Sequence, residues 1–359
     1  MRLLSLNLEN FRNVKSASFN FGGDRIFFLG PNGQGKTNLL EAIGLSATLR
    51  SFRKNGMDGL VREGEERSRL FFRFSEEDGQ EHEILLDFRP KGEKNLELNG
   101  DKISRLEEYL GLFPAVTLSS RDFRIVREGP SDRRKWLDLL LSSASRQYLE
   151  VLQSYHRSLR ERNALLKRGG ADSELDAFEH ALAKSAQHLQ TTRGEVFPSL
   201  ATSLSKHYSS LSGGAEQAGL SYQPDLPELS LDELLERYAS DRERDRFLGS
   251  TRRGPHRDDF QFSLNQRDAR IYASEGQQRG LVLALRLAEF TYLHEALRKL
   301  PLVLADDVLG ELDGNRKANF RKLLPPRAQV FATGTAYPSE EEKEIWVTYL
   351  VEQGTFSKI

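Results

Sequence analysis

Apolar and polar residues alternate at the start of the chain. Leu3, Leu4, Leu6 and Leu8 are interleaved with Ser5, Asn7 and Glu9, and Ala17 to Phe21 repeats the habit, which predicts a hairpin of half-buried strands. Gly22-Gly23-Asp24 turns the chain. Arg25-Ile26-Phe27-Phe28-Leu29 then replaces alternation with a continuous apolar run, the texture of a strand buried on both faces. Strand patterns return at Leu70–Phe74, Glu83–Phe88 and Asn95–Leu98, broken by turn residues at Glu77-Asp78-Gly79 and Pro90-Lys91-Gly92.

From Pro130 to about Arg246 the apolar positions recur every three or four residues, as in Trp136, Leu139, Leu140 and then Leu149, Leu152, Tyr155, Leu159. That spacing predicts a mainly helical insertion. A second long helix is expected from Ser173 to about Tyr208, reaching about 54 Å at 1.5 Å per residue, which excludes long coiled-coil arms. Beyond Phe260 strand and helix textures alternate again. The expectation is an α/β domain assembled from residues 1–125 and 251–359 around a helical subdomain at 126–250.

Composition narrows the functional classes. The 359 residues suffice for two domains, or one domain with a large insertion. With 52 basic against 53 acidic side chains, the net charge of -1 excludes a uniformly basic nucleic-acid coat and a polybasic membrane binder, so any nucleic-acid site must be local. The absence of cysteine removes disulfides, thiolate metal sites and a cysteine nucleophile. No run of about 18 apolar residues occurs, and the start is too polar for a secretion signal, so no membrane partner and a cytoplasmic location are expected.

The chemistry begins at Gly30-Pro31-Asn32-Gly33-Gln34-Gly35-Lys36-Thr37-Asn38. This is P-loop spacing: glycines let backbone N–H groups wrap phosphate oxygens, Lys36 bridges the outer phosphates and Thr37 ligates Mg²⁺. The buried strand before it and the helix at Asn38–Ile43, whose N-terminus faces the phosphates, supply the required context. A P-loop enzyme also needs an acidic partner for the metal at the end of a buried strand. Pro301-Leu302-Val303-Leu304-Ala305-Asp306-Asp307 offers one. Asp306 is read as the metal acid and Asp307, facing the other way along a strand, as the base toward the attacking water.

A third element decides between P-loop classes. Ser274-Glu275-Gly276-Gln277-Gln278-Arg279 precedes the apolar helix Leu281–Ala288. Its N-terminus would offer N–H groups to an anion, the arrangement of an ABC-type signature that contacts ATP held on a second subunit. Leu211-Ser212-Gly213-Gly214-Ala215-Glu216-Gln217 has closer signature letters but leads into Gly219, Pro224 and Pro227 instead of a long helix, so it is read as a turn. In Gly254-Pro255-His256-Arg257-Asp258-Asp259 a structural role is favoured over a metal cluster or a DNA or nucleotide contact, because the adjacent carboxylates point apart and a Pro-fixed turn satisfies such groups locally.

Taken in order, Asn10-Phe11-Arg12-Asn13, the P-loop, Arg127–Pro130 with Arg133-Arg134, Gly254–Asp259, the Ser274 signature and Asp306–Asp313 resemble the RecF family of recombination mediators along the whole chain. That family belongs to the ABC-type ATPases related to Rad50 and the SMC heads. The resemblance implies an α/β ABC-type ATPase head with a mainly helical subdomain and no long coiled coil, using ATP and Mg²⁺. It places Arg12 and Asn13 near the nucleotide, Glu311 and Asp313 in a D-loop that crosses a dimer, and Ser119–Asp122 where a metal-sensing loop is expected. It puts Gly334 and Thr335 where many ABC ATPases carry a switch histidine. It further implies a weak, DNA-stimulated ATPase that dimerises on ATP, binds duplex DNA and gap junctions, partners RecR and the RecO/RecA pathway, and assists RecA loading in repair and SOS induction.

Two basic groups would serve the DNA. Arg121, Arg124, Arg127, Arg133, Arg134 and Lys135 form one, and Arg157, Arg160, Arg162, Lys167 and Arg168 the other. Without interleaved aromatics they suit backbone phosphates with little sequence readout. By themselves they read as solvated helix faces. The competing classes fit less well: a transporter subunit leaves the helical insertion unexplained, and a small-molecule kinase leaves Ser274 and the Asp306-Asp307 pair unexplained.

Overall fold

The structure is a computed structural model. It describes residues 1–53, 59–90, 93–308, 314–337 and 345–359. The chain divides into two compact units, one made of Met1–Asp122, Ser210–Ser212 and Leu283–Ile359, the other of Phe123–Ser209 and Gly213–Val282. The second unit therefore runs to Val282, past the expected boundary at 250.

The first unit holds two six-stranded sheets. One is antiparallel throughout, in the order Val14–Asn20, Arg2–Phe11, Ser68–Ser75, Glu81–Phe88, Lys94–Leu98, Asp101–Lys102. Buried and half-buried residues alternate without interruption along Ser68–Ser75, as expected of a sheet with one face on the core. Along Arg2–Phe11 the alternation breaks at Ser5-Leu6, both buried, next to a register shift between Leu3 and Ser5.

The other sheet runs Thr355–Lys358, Val347–Glu352, Arg25–Leu29, Val330–Gly334, Leu302–Asp306, Ala115–Ser119. Its strands are parallel except the terminal Thr355–Lys358. Leu302–Ala305 and Val330–Gly334 are buried at every residue, which explains their near-continuous apolar sequence. Because the strands are parallel, Leu29, Gly334, Asp306 and Ser119 all end at one edge, where open α/β sheets bind ligands. The helix Lys36–Thr48 follows the Leu29 strand. A single apolar cluster, including Phe11, Phe28, Ile43, Phe72, Leu304 and Phe331, joins both sheets and that helix. The buried Gln329 side chain stitches them, accepting from Leu3 N–H at 2.7 Å and donating to the Leu3 carbonyl at 3.0 Å.

The second unit contains the helices Pro130–Ala144, Arg146–Arg168 and most of Asp172–Ser212. At 41 residues the last is about 60 Å long. A three-stranded antiparallel sheet, Arg267–Asp268, Asp259–Leu264 and Ala218–Gln223, belongs to the same unit.

Candidate functional site

The P-loop leaves its strand at Gly30, where any side chain is excluded: a Cβ there would lie 2.4 Å from the Val351 carbonyl oxygen. Gly33 and Gly35 hold φ of 80° and 112°, a region that favours glycine. Gly35 caps the helix Lys36–Thr48, so the first N–H groups of that helix open into the loop. Loop and helix N-terminus together form a nest for a polyphosphate.

Lys36 is buried. Its Nζ donates to the Gly30 carbonyl and, at 2.8 Å, to the Pro31 carbonyl. Desolvation lowers its pKa, while Asp307 and then Asp306 oppose the shift. A buried ammonium held by carbonyls, with carboxylates nearby, is a site that gains from an added anion.

Thr37 Oγ1 donates to Asp306 Oδ1 at 2.8 Å, joining residues 269 apart in sequence. The Thr333 hydroxyl donates to the same oxygen at 3.0 Å and accepts the Asp307 N–H at 2.9 Å. Burial raises the Asp306 pKa above the ordinary carboxylate value, with the two hydroxyl bonds opposing it. A hydroxyl and a carboxylate side by side next to the nest are the oxygen donors that Mg²⁺ takes, with water and phosphate completing its shell. The strand stops at Asp306, and Asp307 adopts φ 56°. Strand alternation therefore does not orient Asp307; a left-handed residue anchored on Thr333 does. Its charge is the carboxylate that Lys36 feels most.

Of the two hairpin residues expected near the nucleotide, Asn13 reaches the P-loop. It accepts from Asn38 Nδ2 at 2.6 Å and donates to the Gln34 carbonyl at 3.3 Å. The Arg12 guanidinium instead forks onto buried Glu41 at 2.9 and 2.7 Å and reaches the Gly59 carbonyl at 2.7 Å. Asn32 is exposed and Gln34 half-buried. The Gln34 side chain accepts the Gln353 N–H at 2.7 Å, so it faces the terminal hairpin.

At the switch position Gly334 has no room for a side chain, since a Cβ would sit 2.8 Å from Phe27 and 3.0 Å from the Ala336 carbonyl oxygen. At the metal-sensing position, Asp122 accepts the Ser119 N–H at 2.8 Å and pairs with Arg286 at 2.7 Å. Glu311 and Asp313 lie outside the described residues.

In the second unit Ser274 caps the helix Glu275–Leu297. Its N–H donates to Gln277 Oε1 at 2.6 Å while its hydroxyl accepts the Gln277 N–H at 3.3 Å, a reciprocal capping box. Ser274 and Glu275 are exposed and Gly276 is half-buried, so the helix N-terminus is open to an anion. Ile271 and Tyr272, just before it, are each 64% exposed. The glycine pair after Ser212 closes the 41-residue helix with φ of 75° and 83°, the turn expected there.

Gly254–Asp259 is a structural knot. Buried Asp258 accepts from Arg193 at 2.7 Å, from the Asp225 N–H at 2.9 Å and from the Tyr222 hydroxyl. Asp259 pairs with Arg133 at 2.6 Å, and both ring nitrogens of His256 are engaged, Nδ1 with the Tyr155 hydroxyl and Nε2 with the Thr251 carbonyl.

The basic groups need correction. Arg133 is buried against Asp259, and Arg162 is fully buried between Glu179 at 3.0 Å and Asp245 at 2.7 Å, so neither can serve a phosphate. Arg124, Arg127 and Lys135 of the first group and Arg157, Arg160, Lys167 and Arg168 of the second are exposed. Helical spacing sends residues five apart to different faces, which a linear count of charges ignores.

Thr333 and Glu41 were not singled out from the sequence. The available signals were a polar residue ending a buried strand and a lone acid on an apolar helix.

Residues 2–355 match the family described as the RecF/RecN/SMC N terminal domain. A DNA replication and repair protein RecF from Synechococcus sp. (strain JA-2-3B'a(2-13)) is 36% identical over 348 residues, 93% of this chain and 91% of its own length. Its counterpart from Leptospira interrogans serogroup Icterohaemorrhagiae serovar Lai is 35% identical over 371 residues, 100% of both chains. A solved structure of the recombination mediator protein RecF with ATP, in the RecFOR pathway, superposes with a TM-score of 0.91 at 33% identity, over 99% of this chain and 97% of that one. An Smc head bound to the C-winged helix domain of ScpA aligns with a TM-score of 0.55 at 16% identity, a likeness of fold.

Proposed function

Because the chain belongs to the RecF/RecN/SMC N-terminal domain family, and within it to the RecF proteins of DNA replication and repair, we propose that it is an ATP-gated DNA clamp. Its family is one of ABC-type ATPases, and ATP hydrolysis is the activity that follows. In this reading the triphosphate of ATP lies along Gly30, Asn32, Gly33, Gln34, Gly35 and Asn38, with backbone N–H groups from Gly33 to Thr37 directed at its oxygens. Lys36 exchanges its carbonyl partners for the outer phosphates. Thr37 and Asp306 hold Mg²⁺, which when bound neutralises charge on the outer phosphates. Asp307 accepts a proton from the attacking water.

The observation that carries the reading is the joining of Thr37 to Asp306 at 2.8 Å beside buried Lys36, at the carboxyl edge of a parallel sheet. It brings a P-loop and a distant acid into the arrangement phosphoryl transfer needs. Ser274, Gly276 and Gln277 supply the second half in trans: an open helix N-terminus on one copy completes the ATP site of another. The exposed Ile271 and Tyr272 beside it support a face covered by a second copy. Glu311 and Asp313 act as the D-loop of that dimer.

Two joined heads hold duplex DNA near a single-strand gap through the exposed arginines and lysines, and ATP hydrolysis, weak and stimulated by DNA, releases it. RecR and RecO are the partners, and the outcome is RecA loading on gapped DNA during repair and SOS induction. The relatives' name and the pathway named with the ATP-bound relative support this step.

Static light scattering with and without ATP tests the dimer. The parent should double in mass with ATP, whereas Ser274→Arg should bind ATP and stay monomeric. A Ser274→Arg variant that pairs as readily as the parent would refute the trans contact.

A further inference from the structure

The P-loop is gripped from outside its own strand and helix. The strand Val347–Glu352 runs parallel beside Arg25–Leu29, with Leu350 opposite Leu29, so it follows the chain that feeds the loop. It then reverses through a two-residue turn, Gln353 at φ 48° and Gly354 at φ 77°, closing on the Glu352–Thr355 pair. Both turn N–H groups point at one P-loop residue. Gln353 N–H donates to Gln34 Oε1 at 2.7 Å, and Gly354 N–H donates to the Gln34 carbonyl at 2.9 Å. Asn13 Nδ2, from the first hairpin, donates to the same carbonyl at 3.3 Å.

That carbonyl belongs to the same peptide plane as the Gly35 N–H. In a planar trans peptide the two point in opposite directions. Two donors fixing the carbonyl outward therefore fix the Gly35 N–H inward, toward the loop's concave side. Gly35, at φ 112°, has no side-chain preference to hold this plane against rotation. The packing is close: a Cβ on Gly354 would come within 2.9 Å of the Asn13 carbonyl oxygen.

We propose that the Gln353-Gly354 turn and Asn13 form a lock on the P-loop, positioning residues that hold the Gln34–Gly35 peptide in its phosphate-binding orientation and thereby set the affinity for ATP. The proposal rests on the reading of Gly30–Asn38 as the ATP site. It makes nucleotide affinity answer to a turn more than 300 residues away in sequence.

The test is the ATP affinity of Gly354→Ala and Asn13→Ala, by calorimetric titration with Mg²⁺ and ATP, together with steady-state kinetics and thermal melting. Each variant should weaken ATP binding about 3- to 10-fold, the scale of one net hydrogen bond. KM should rise in step while kcat at saturating ATP stays within about twofold, because ground state and transition state lose the same donor. Phe356→Ala supplies the control for mere hairpin stability, since its ring packs on Phe19 at 5.0 Å. It should lower the melting temperature and leave ATP affinity unchanged. Parent-like affinity in both Gly354→Ala and Asn13→Ala would overturn the lock, as would an equal loss in Phe356→Ala. If the parent itself fails to bind ATP, or Lys36→Met binds it undiminished, the ATP site itself is refuted and the lock with it.

Discussion

Asp307 is the residue on which the catalytic reading turns. Its N–H is tied to Thr333 and its backbone is left-handed, so replacing the carboxylate by an amide keeps the anchor and the fold. Asp307→Asn should bind ATP as the parent does but hydrolyse it about 10²- to 10⁴-fold more slowly, the usual cost of removing a general base. Parent-like turnover in a phosphate-release assay would make Asp307 structural. At this scale the sequence was legible where contacts are local. Gly30 to Thr37 carry their geometry in their spacing, and Asp306 follows from a buried strand ending in an acid. Thr333 was not legible, because its place between Asp306 and the Asp307 N–H depends on the Val330–Gly334 strand lying next to Leu302–Asp306, a pairing no local pattern encodes. The partner of Arg12 was hidden for a related reason: Glu41 lies 29 residues away on the helix after the P-loop.

Among the elements, the helices of the second unit depend on buried charge. Arg162 is inaccessible to solvent, pairs with Glu179 and Asp245, and also donates to Thr251 at 2.7 Å. Arg162→Met would leave buried Asp245 without its cation, while Glu179 keeps Arg242, and should cost about 3–5 kcal/mol of stability, measured by denaturant unfolding. A change below about 1 kcal/mol would mean that water reaches the pair. The unit also carries a pH dependence. Burial pushes the pKa of His256 down to about 4, with the Thr251 carbonyl only partly opposing it. Its ordinary value is 6.5, so between those two pH values the unfolded chain holds the extra proton, and stability falls as pH falls through that window. A His256→Gln variant should lose less stability than the parent between pH 6.5 and 4 in melting experiments; an identical pH slope would assign the effect elsewhere. Helical spacing announced these helices, yet not the strands Ala115–Ser119 and Ala218–Gln223. Both are five or six residues long, and nothing in so short a run separates a strand from a helix turn. The boundary expected at 250 fell where texture changes, whereas the compact unit continues through the Ser274 cap to Val282.

At the scale of the whole molecule, the proposed clamp makes DNA binding by a nearly neutral chain depend on nucleotide state. A net charge of -1, with Arg133 and Arg162 turned inward, leaves each copy only local groups of exposed cations among as many acids, and the few phosphate contacts such a group makes bind weakly at physiological salt because each depends on counterion release. In the proposed clamp, two copies joined through ATP would present both sets to one duplex at high effective concentration. The resemblance to an ATPase head was legible in the order of motifs along the chain; the proposed pairing of copies came only with that resemblance, because Ser274 by itself also reads as an ordinary helix cap. The most direct measurement is fluorescence anisotropy of a labelled gapped duplex across a salt series with ATP, with ADP and without nucleotide. The proposed clamp should show tightest retention with ATP, the steepest salt dependence in that state, little effect of base sequence, and retention that outlasts the parent's in Asp307→Asn. Equal affinity and equal salt slope in all three nucleotide states would contradict it.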